Sequence, residues 1–493
     1  MRTGAAYREA LRDGRRVFVL GEGRVEDVTT HPATQPMVDE YVAWYDRLND
    51  PAWREIAWKP DGAPIPYLVP RSADDLVRMA RFFSASSFLS AGNITHTPCY
   101  GHMISVGIQH AVTLRNASDT QVRNAEAYRA HIAATQRFIT FAAGHATIGY
   151  RMRPDPADRT SLRIVRETDA GLVVNGKIGM HTSPAFVEDV YIGAGNNVDY
   201  QGHRATFAVA VNSPGVTVIC RKRAARETNP FAAPLSNRFD ELDGQMWLDD
   251  VLVPWERVFL TEPSAEPIAR WLFWHQCYCW LAHAEFSLGL ALACSQAMGL
   301  MEHPVTSEYL VDLIADVQTV RSCLTACERD PSFTDDGIAA PNHAHLSVAS
   351  LAMLRARPRM EDILRSLPGS SLINAPSDAD LANPELAAGL EDSFGGGGWT
   401  ALQRSALLNM AWDHVGSALN HRESVYELHA NGGAGIWRHR LRRAFNGYND
   451  LANGVLQQIP MPMPAVDLTP IREAPMVPRR PVTPPAASEL KKP

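Results

Sequence analysis

Residues 162–180 read LRIVRETDAGLVVNGKIGM. Apolar and polar side chains alternate through them around two turn signals, Asp169-Ala170-Gly171 and Asn175-Gly176, which is the pattern of short paired strands and not of a helix. Downstream, VYIGAG, ATFAVAV, VTVIC and GQMWLDDVLVP continue it, each bounded by Gly, Pro, Asn or Asp. The stretch therefore opens a block of antiparallel strands, a barrel or sandwich, that ends near Trp255–Leu260.

On either side the period changes. MVDEYVAWYDRLND (37–50) carries apolar residues near a 3.6 spacing, SADDLVRMARFFSA starts on Ser72 as an N-cap, and AEAYRAHIAATQRFITFAAGHA (125–146) continues as helix. Before them RRVFVLGEGRVEDV forms a small hairpin turned at Gly21-Glu22-Gly23. Beyond residue 268, long helical segments begin near His275, Ser307, Ala344 and Thr400, broken by SLPGSSLINAPSDADLANPE and by FGGGGW (394–399). Residues 459–493 hold ten of the 34 prolines, as expected of an extended arm. The expected layout is an α+β multidomain chain: helical 1–145, β-barrel 146–267, helical bundle 268–458 and a proline-rich tail 459–493.

Composition narrows the partners. A chain of 493 residues exceeds one core, and its net charge of −7 contains no basic run that could neutralise phosphates, so nucleic acid is not expected. No window of about 18 uncharged apolar residues is present, and MRTGAAYREALRDGRR is too charged for a signal peptide, which together point to the cytoplasm. Seven irregularly spaced cysteines read as reduced thiols; Cys277/Cys279 and Cys323/Cys327 lack the turn residues of a zinc site, and no metal is expected.

The familiar nucleotide cradles are missing. No GxGxxG follows a strand, no GxxxxGK[ST] loop occurs, and the tetraglycine 395–398 lacks the Lys and Ser/Thr of a phosphate loop. Two local features carry chemistry instead. THTPCYGH (95–102) gathers His96, Cys99, Tyr100 and His102, able to ligate a metal, act as nucleophile or move a proton. His145, between Gly144 and Gly149, reads either as a core histidine or as an acid/base beside a planar ligand that approaches bare backbone.

Taken in order, VEDVTTHP (25–32), THTPCY, GHA (144–146), RETDAGLVVNGKIGMHTS (166–183), PLSNRFDELDGQMWLDDVLVPWERV (234–258), NAPSDADLANPE (374–385) and MAWDHVGSALNHRESVYELHANGG (410–433) resemble the large oxygenase component of 4-hydroxyphenylacetate 3-hydroxylases. The resemblance implies an acyl-CoA-dehydrogenase-like fold and a homotetramer. It also implies reduced FAD delivered by a separate NAD(P)H-flavin reductase. Reaction with O2 through a C4a-hydroperoxyflavin then hydroxylates a phenolic or related aromatic ring; N-oxygenation of an aromatic amine is the neighbouring possibility.

Carried over by position, Tyr100, His145 and Ser183 would face the substrate, with His96 where the family has an arginine. His145, Ala146, Thr147, Thr182, Arg404 and the turn Asn431-Gly432-Gly433-Ala434 would hold the flavin. His96 is one departure, since arginine offers a fixed charge and histidine a titratable ring. The segment Gly149-Tyr150 followed by RMRPDPADR (151–159), where relatives show Asn-Pro, is another. A dehydratase branch of the superfamily places an iron–sulfur cluster here; Cys99 is present, but Met103 stands where its second thiolate is wanted.

Overall fold

The computed structural model describes residues 1–114, 117–142, 160, 162–193, 205–225, 229–260, 266–429 and 433–473. Six α-helices lie before residue 136, with a hairpin between the first two: α1 (Gly4–Ala10), α2 (Gln35–Arg47), α3 (Arg54–Ala57), α4 (Ala73–Phe88), α5 (Tyr100–Leu114) and α6 (Asp119–Thr135). At the start of α4 the Ser72 side chain accepts from the Asp75 amide, with Asp74 and Asp75 in the electropositive first turn. A reciprocal Ser118–Gln121 capping box starts α6, and Gln136 ends it in the left-handed region at φ 53°.

Apart from a two-stranded ladder of Ser332–Phe333 on Ala339–Ala340, the strands among the described residues are β1 (Val17–Val19), β2 (Gly23–Val25), β3 (Ile139–Ala142), β4 (Arg163–Thr168), β5 (Gly171–His181), β6 (Asp189–Ile192), β7 (Thr206–Ala210), β8 (Val216–Cys220), β9 (Gly244–Pro254) and β10 (Val258–Leu260). They form one sheet in the order β10-β7-β6-β3-β5-β9-β8-β1-β2, with β4 paired to β5. β4 and β5 pair antiparallel from Arg163↔Asn175 to Thr168↔Gly171, so the first expected turn is real. The second is not: Asn175-Gly176 lies inside β5, where the register against β9 slips between Val174 and Gly176, a bulge and not a reversal.

Three expectations need correction. The sheet is an open path among the described residues, not a closed barrel. It is also mixed, because β3 runs parallel to β6 and β1 parallel to β8. And RFITFA (137–142), read as the end of a helix, supplies β3; the β-branched and aromatic run Ile139-Thr140-Phe141 prevails over the alanine-rich helix before it. Alternation tells which face a strand buries but not which strand lies beside it.

The C-terminal half is helical, as expected: α7 (Glu266–Ala297), α8 (Pro304–Arg329), α9 (His343–Ser366), the short α10 (Ser371–Asn374), α11 (Asp378–Ala382) and α12 (Ala387–Phe394), then α13 (Ala401–Gly416), α14 (Ala418–His429), α15 (Gly433–Ala444) and α16 (Tyr448–Leu456). The axis of the packing is α7, which touches α4, α5, α8 and α9 and buries Trp271, Trp274 and Trp280. Its Pro267–Ala297 stretch is long and apolar enough to cross a bilayer, which the charge-free criterion missed, yet 67% of its most apolar window is buried inside the fold. All seven cysteines are free thiols, six of them buried.

Candidate active site

Between α4 and α5 the chain crosses the interior as SAGNITHTPC (90–99), every residue buried. A buried loop must find partners for its backbone amides. Glu241, fully buried in the segment before β9, provides them: Oε2 accepts from the Thr95 amide at 3.0 Å and Oε1 from the His96 amide at 2.9 Å. The same carboxylate accepts the Thr95 hydroxyl at 2.6 Å and the Ser183 hydroxyl at 3.3 Å. Ser183, just past β5, sits at φ 60° and donates its amide to the Glu241 carbonyl at 3.2 Å. One carboxylate thus ties the His96 loop to the Thr182-Ser183 turn.

Charge around Glu241 is matched within the fold. Arg422 of α14 reaches Glu241 at 3.4 Å and forks onto Asp243, with Nε–Oδ2 at 2.6 Å; it also pairs with Glu423. Arg221 adds a second guanidinium on Asp243 at 3.1 Å. Burial opposes ionisation of Asp243, but Arg422 and Arg221 outweigh it and hold the acid below its ordinary range. Burial pushes Glu423 up to about 8 despite Arg422. Buried pairs of this kind cost desolvation to form and several kcal/mol to break from one side.

Aromatic rings close on His96. Its ring meets Tyr100 edge-on at 4.2 Å between centroids and Tyr426 at 6.1 Å, and Tyr100 meets His275 of α7 at 5.5 Å. Nδ1 of His96 is 2.8 Å from the Thr95 hydroxyl. Burial, then the positive Arg422, takes His96 down to about 3, so the ring is neutral at physiological pH. His181 and His275 are likewise brought to about 3 by burial and by His96. Nε2 of His181 bonds Thr140 at 2.5 Å and Nε2 of His275 bonds Thr97 at 2.8 Å, while both Nδ1 atoms are buried without a partner. Among the described residues, none bonds the Tyr100 hydroxyl or Nε2 of His96.

Of the residues singled out in the sequence, His96, Tyr100, Thr182 and Ser183 come together. Thr182 donates its hydroxyl to Asp243 at 2.9 Å, so towards a ligand it can only accept. Arg404 stands apart on α13, where its guanidinium caps the carbonyls of Phe394, Gly395 and Gly396 and holds the tetraglycine loop. Gly433 and Ala434 begin α15, Gly433 at φ 64°. His145, Ala146, Thr147, Asn431, Gly432 and the segment 151–159 lie outside the described residues, as does the tail beyond residue 473. Cys99 is buried beside Thr97 with its thiol raised to about 12 by burial, and His102 bonds the Leu68 carbonyl at 3.0 Å. Glu241, Asp243, Arg422, Tyr426, His181 and His275 were not singled out; the signal for the acids was their crowding in RFDELDG (238–244).

Residues 3–260 match the family model described as 4-hydroxyphenylacetate 3-hydroxylase N terminal, and residues 266–456 its C-terminal counterpart. The chain is 29% identical over 441 residues to the 4-hydroxyphenylacetate 3-monooxygenase oxygenase component of Thermus thermophilus, covering 86% of this chain and 91% of that one. It is 30% identical over 454 residues to the 4-nitrophenol 2-monooxygenase oxygenase component of a Rhodococcus species, covering 87% and 86%. Among solved structures it resembles an oxygenase component of 4-hydroxyphenylacetate 3-monooxygenase complexed with FAD and 4-hydroxyphenylacetate. That match has a TM-score of 0.85 and 26% identity, and covers 93% of this chain and 99% of that one.

Proposed function

Because the chain belongs to the 4-hydroxyphenylacetate 3-hydroxylase family, we propose that the pocket around His96 and Tyr100 is the active site of an FAD-dependent aromatic monooxygenase, the oxygenase of a two-component system. The observation that carries this reading is the convergence of the His96 loop, the Thr182-Ser183 turn, α7 and α14 on one buried carboxylate, Glu241, and the rings packed around it. We take the break between the two matched family models, from residue 260 to 266, as support for a boundary between the sheet and the C-terminal bundle.

The residues suit a planar heterocycle with ring N–H and carbonyl groups. Thr182 retains acceptor lone pairs, and the buried, unpartnered Nδ1 of His181 on the same strand end supplies a further polar atom. Thr182 and Gly433-Ala434 of the described residues, with His145, Ala146, Thr147, Asn431 and Gly432, are the residues to hold FAD. Reduced FAD supplies the activated oxygen when bound. The chain's part is to bind a phenol against the packed rings of Tyr100 and His96, to keep water out by the burial of both, and to move the hydroxyl proton; Ser183 and, by the family resemblance, His145 are the further residues assigned to the substrate. Arg404, committed to carbonyls, serves the tetraglycine loop.

The proposed partners are a phenolic substrate, O2, a separate NAD(P)H-flavin reductase and further copies of the chain. Exposed apolar side chains on and after α16, with Leu451 and Met461 each 64% and Val455 67% exposed, support a homotetramer. The test supplies the protein with a generic flavin reductase, NAD(P)H and a panel of phenols, reading product mass for one added oxygen. Conversion only with the reductase present is expected. Hydroxylation in the absence of reduced flavin, or no conversion of any phenol, would overturn the assignment. Against the dehydratase reading, Met103 is fully buried and offers a thioether where a thiolate is needed.

A further inference from the structure

Five donors serve the two oxygens of Glu241: the amides of Thr95 and His96, the Thr95 hydroxyl, Arg422, and one of the Ser183 and Tyr41 hydroxyls, which lie 2.8 Å apart so that one gives its hydrogen to the other. Both of its oxygens are thus the receiving partners in these bonds. Thr95 Oγ1 lies 2.6 Å from Oε2, a distance at which two oxygens must share a hydrogen, so the hydroxyl hydrogen belongs to that bond. A threonine hydroxyl has a single hydrogen. Towards His96, 2.8 Å away, Oγ1 can therefore only accept, and Nδ1 must carry the hydrogen. The other ring nitrogen then presents a lone pair.

From this geometry we infer that the Glu241–Thr95 relay locks His96 as the Nδ1–H tautomer, making its Nε2 a hydrogen-bond acceptor that selects substrates bearing a proton at the bound position: an un-ionised phenol or an aryl N–H. The inference rests on the monooxygenase reading for the location of the substrate, but the tautomer follows from the protein alone. When the substrate O–H breaks, its proton forms an N–H bond at Nε2, and the imidazolium is balanced by Glu241 through Thr95. The groups facing His96 agree with a neutral resting ring. Arg422 lies on one side and is tied to Asp243, His181 and His275 are neutral, and the Tyr100 and Tyr426 phenols are pushed up by burial. Glu241 and Thr95 are positioning residues, and His96 is the residue that meets the substrate.

Two readouts test it, neither of them turnover. In protein labelled with 15N-histidine, the signals lost in His96→Asn should show a pyrrole-type Nδ1 and a pyridine-type Nε2, unchanged between pH 5 and 8. The reverse pattern, or a titration in that range, overturns the inference. Thr95→Val should abolish the preference and Thr95→Ser restore it; a Val variant that keeps the pattern overturns the relay. The second readout uses 4-nitrophenol at a pH equal to its own pKa, where free ligand is half ionised. Bound to the full-length protein it should lose most of its phenolate absorbance; a gain of phenolate on binding overturns the acceptor role. A protein that passes the tautomer test but oxygenates no phenol would refute the proposed function and leave the relay standing.

Discussion

Arg422 donates through Nε to one oxygen of Asp243 at 2.6 Å and through its other arm to the second, with the two side chains only 9% and 10% exposed. The fork fastens α14 to the segment entering β9, and Glu241, two residues before Asp243, is held in the same grip. The site is therefore braced by a buried electrostatic cross-link and not by apolar packing alone.

Replacing Arg422 by Met should strand Glu241 without its cation, leave Asp243 to Arg221 alone, and cost about 3–5 kcal/mol. Arg422→Lys keeps charge but not the two-pronged geometry and should fall between. Urea unfolding would read this as a lower midpoint at constant slope; a Met variant as stable as the parent would remove the cross-link from the account.

Gly171 closes the β4–β5 turn at φ 152°, and a Cβ there would stand 2.0 Å from the Val253 carbonyl oxygen of β9. Gly171→Ala should thus push two strands apart and destabilise by more than about 2 kcal/mol. Gly435→Ala, in α15 with nothing within 4 Å, is the control and should be neutral or stabilising. Equal melting temperatures for the two variants would refute the close approach.

Acid should unfold the protein earlier than its carboxylates alone would. His96, His181 and His275 go from an ordinary 6.5 to about 3 on folding, each through burial first. Between those values the unfolded chain binds more protons than the native one, so stability is full above about 6.5 and drains as pH falls towards 3. Glu328 runs the other way: raised from 4.5 to about 7 by burial, against the bonds from Trp274 and Tyr278, its contribution is full below 4.5 and lost as pH rises through 7. Denaturation midpoints across pH 4 to 8 should therefore peak near neutrality. His275→Gln should flatten the acid limb by about one proton, and an unaltered slope would mean that His275 is not buried neutral.

Tyr100→Phe keeps the ring that packs on His96 and His275 and removes only the hydroxyl. If that hydroxyl meets the substrate, coupled turnover should fall by roughly 10²-fold while the melting temperature stays put. A parallel loss of both would mark Tyr100 as a packing residue.

Much of this was legible in the chain. Ser72 announced α4, and Asp169-Ala170-Gly171 announced the hairpin. What was not legible has physical causes. Asn175-Gly176 has the composition of a turn, but cross-strand pairing with β9 stretched it into a bulge. Ile139-Thr140-Phe141 was absorbed into the helix before it because Gln136, no usual helix stop, breaks it in the left-handed region. Glu241 does not stand out in the sequence because acids default to the surface, and only the three-dimensional fold brings five donors to it.

The parallel ladder of β1 on β8 pairs Val17 with Val218 and Val19 with Cys220. The partners are separated by about 200 residues of chain, so this edge of the sheet is a late event in biosynthesis. The β1–β2 hairpin emerges from the ribosome long before β8 and must wait for the intervening chain to be made before its outer edge is covered. In the interval it is an unprotected strand, open to pairing with another nascent chain. Slowing translation before residue 216, or growth at high expression, should therefore raise the aggregated fraction without any change in the stability of the finished protein.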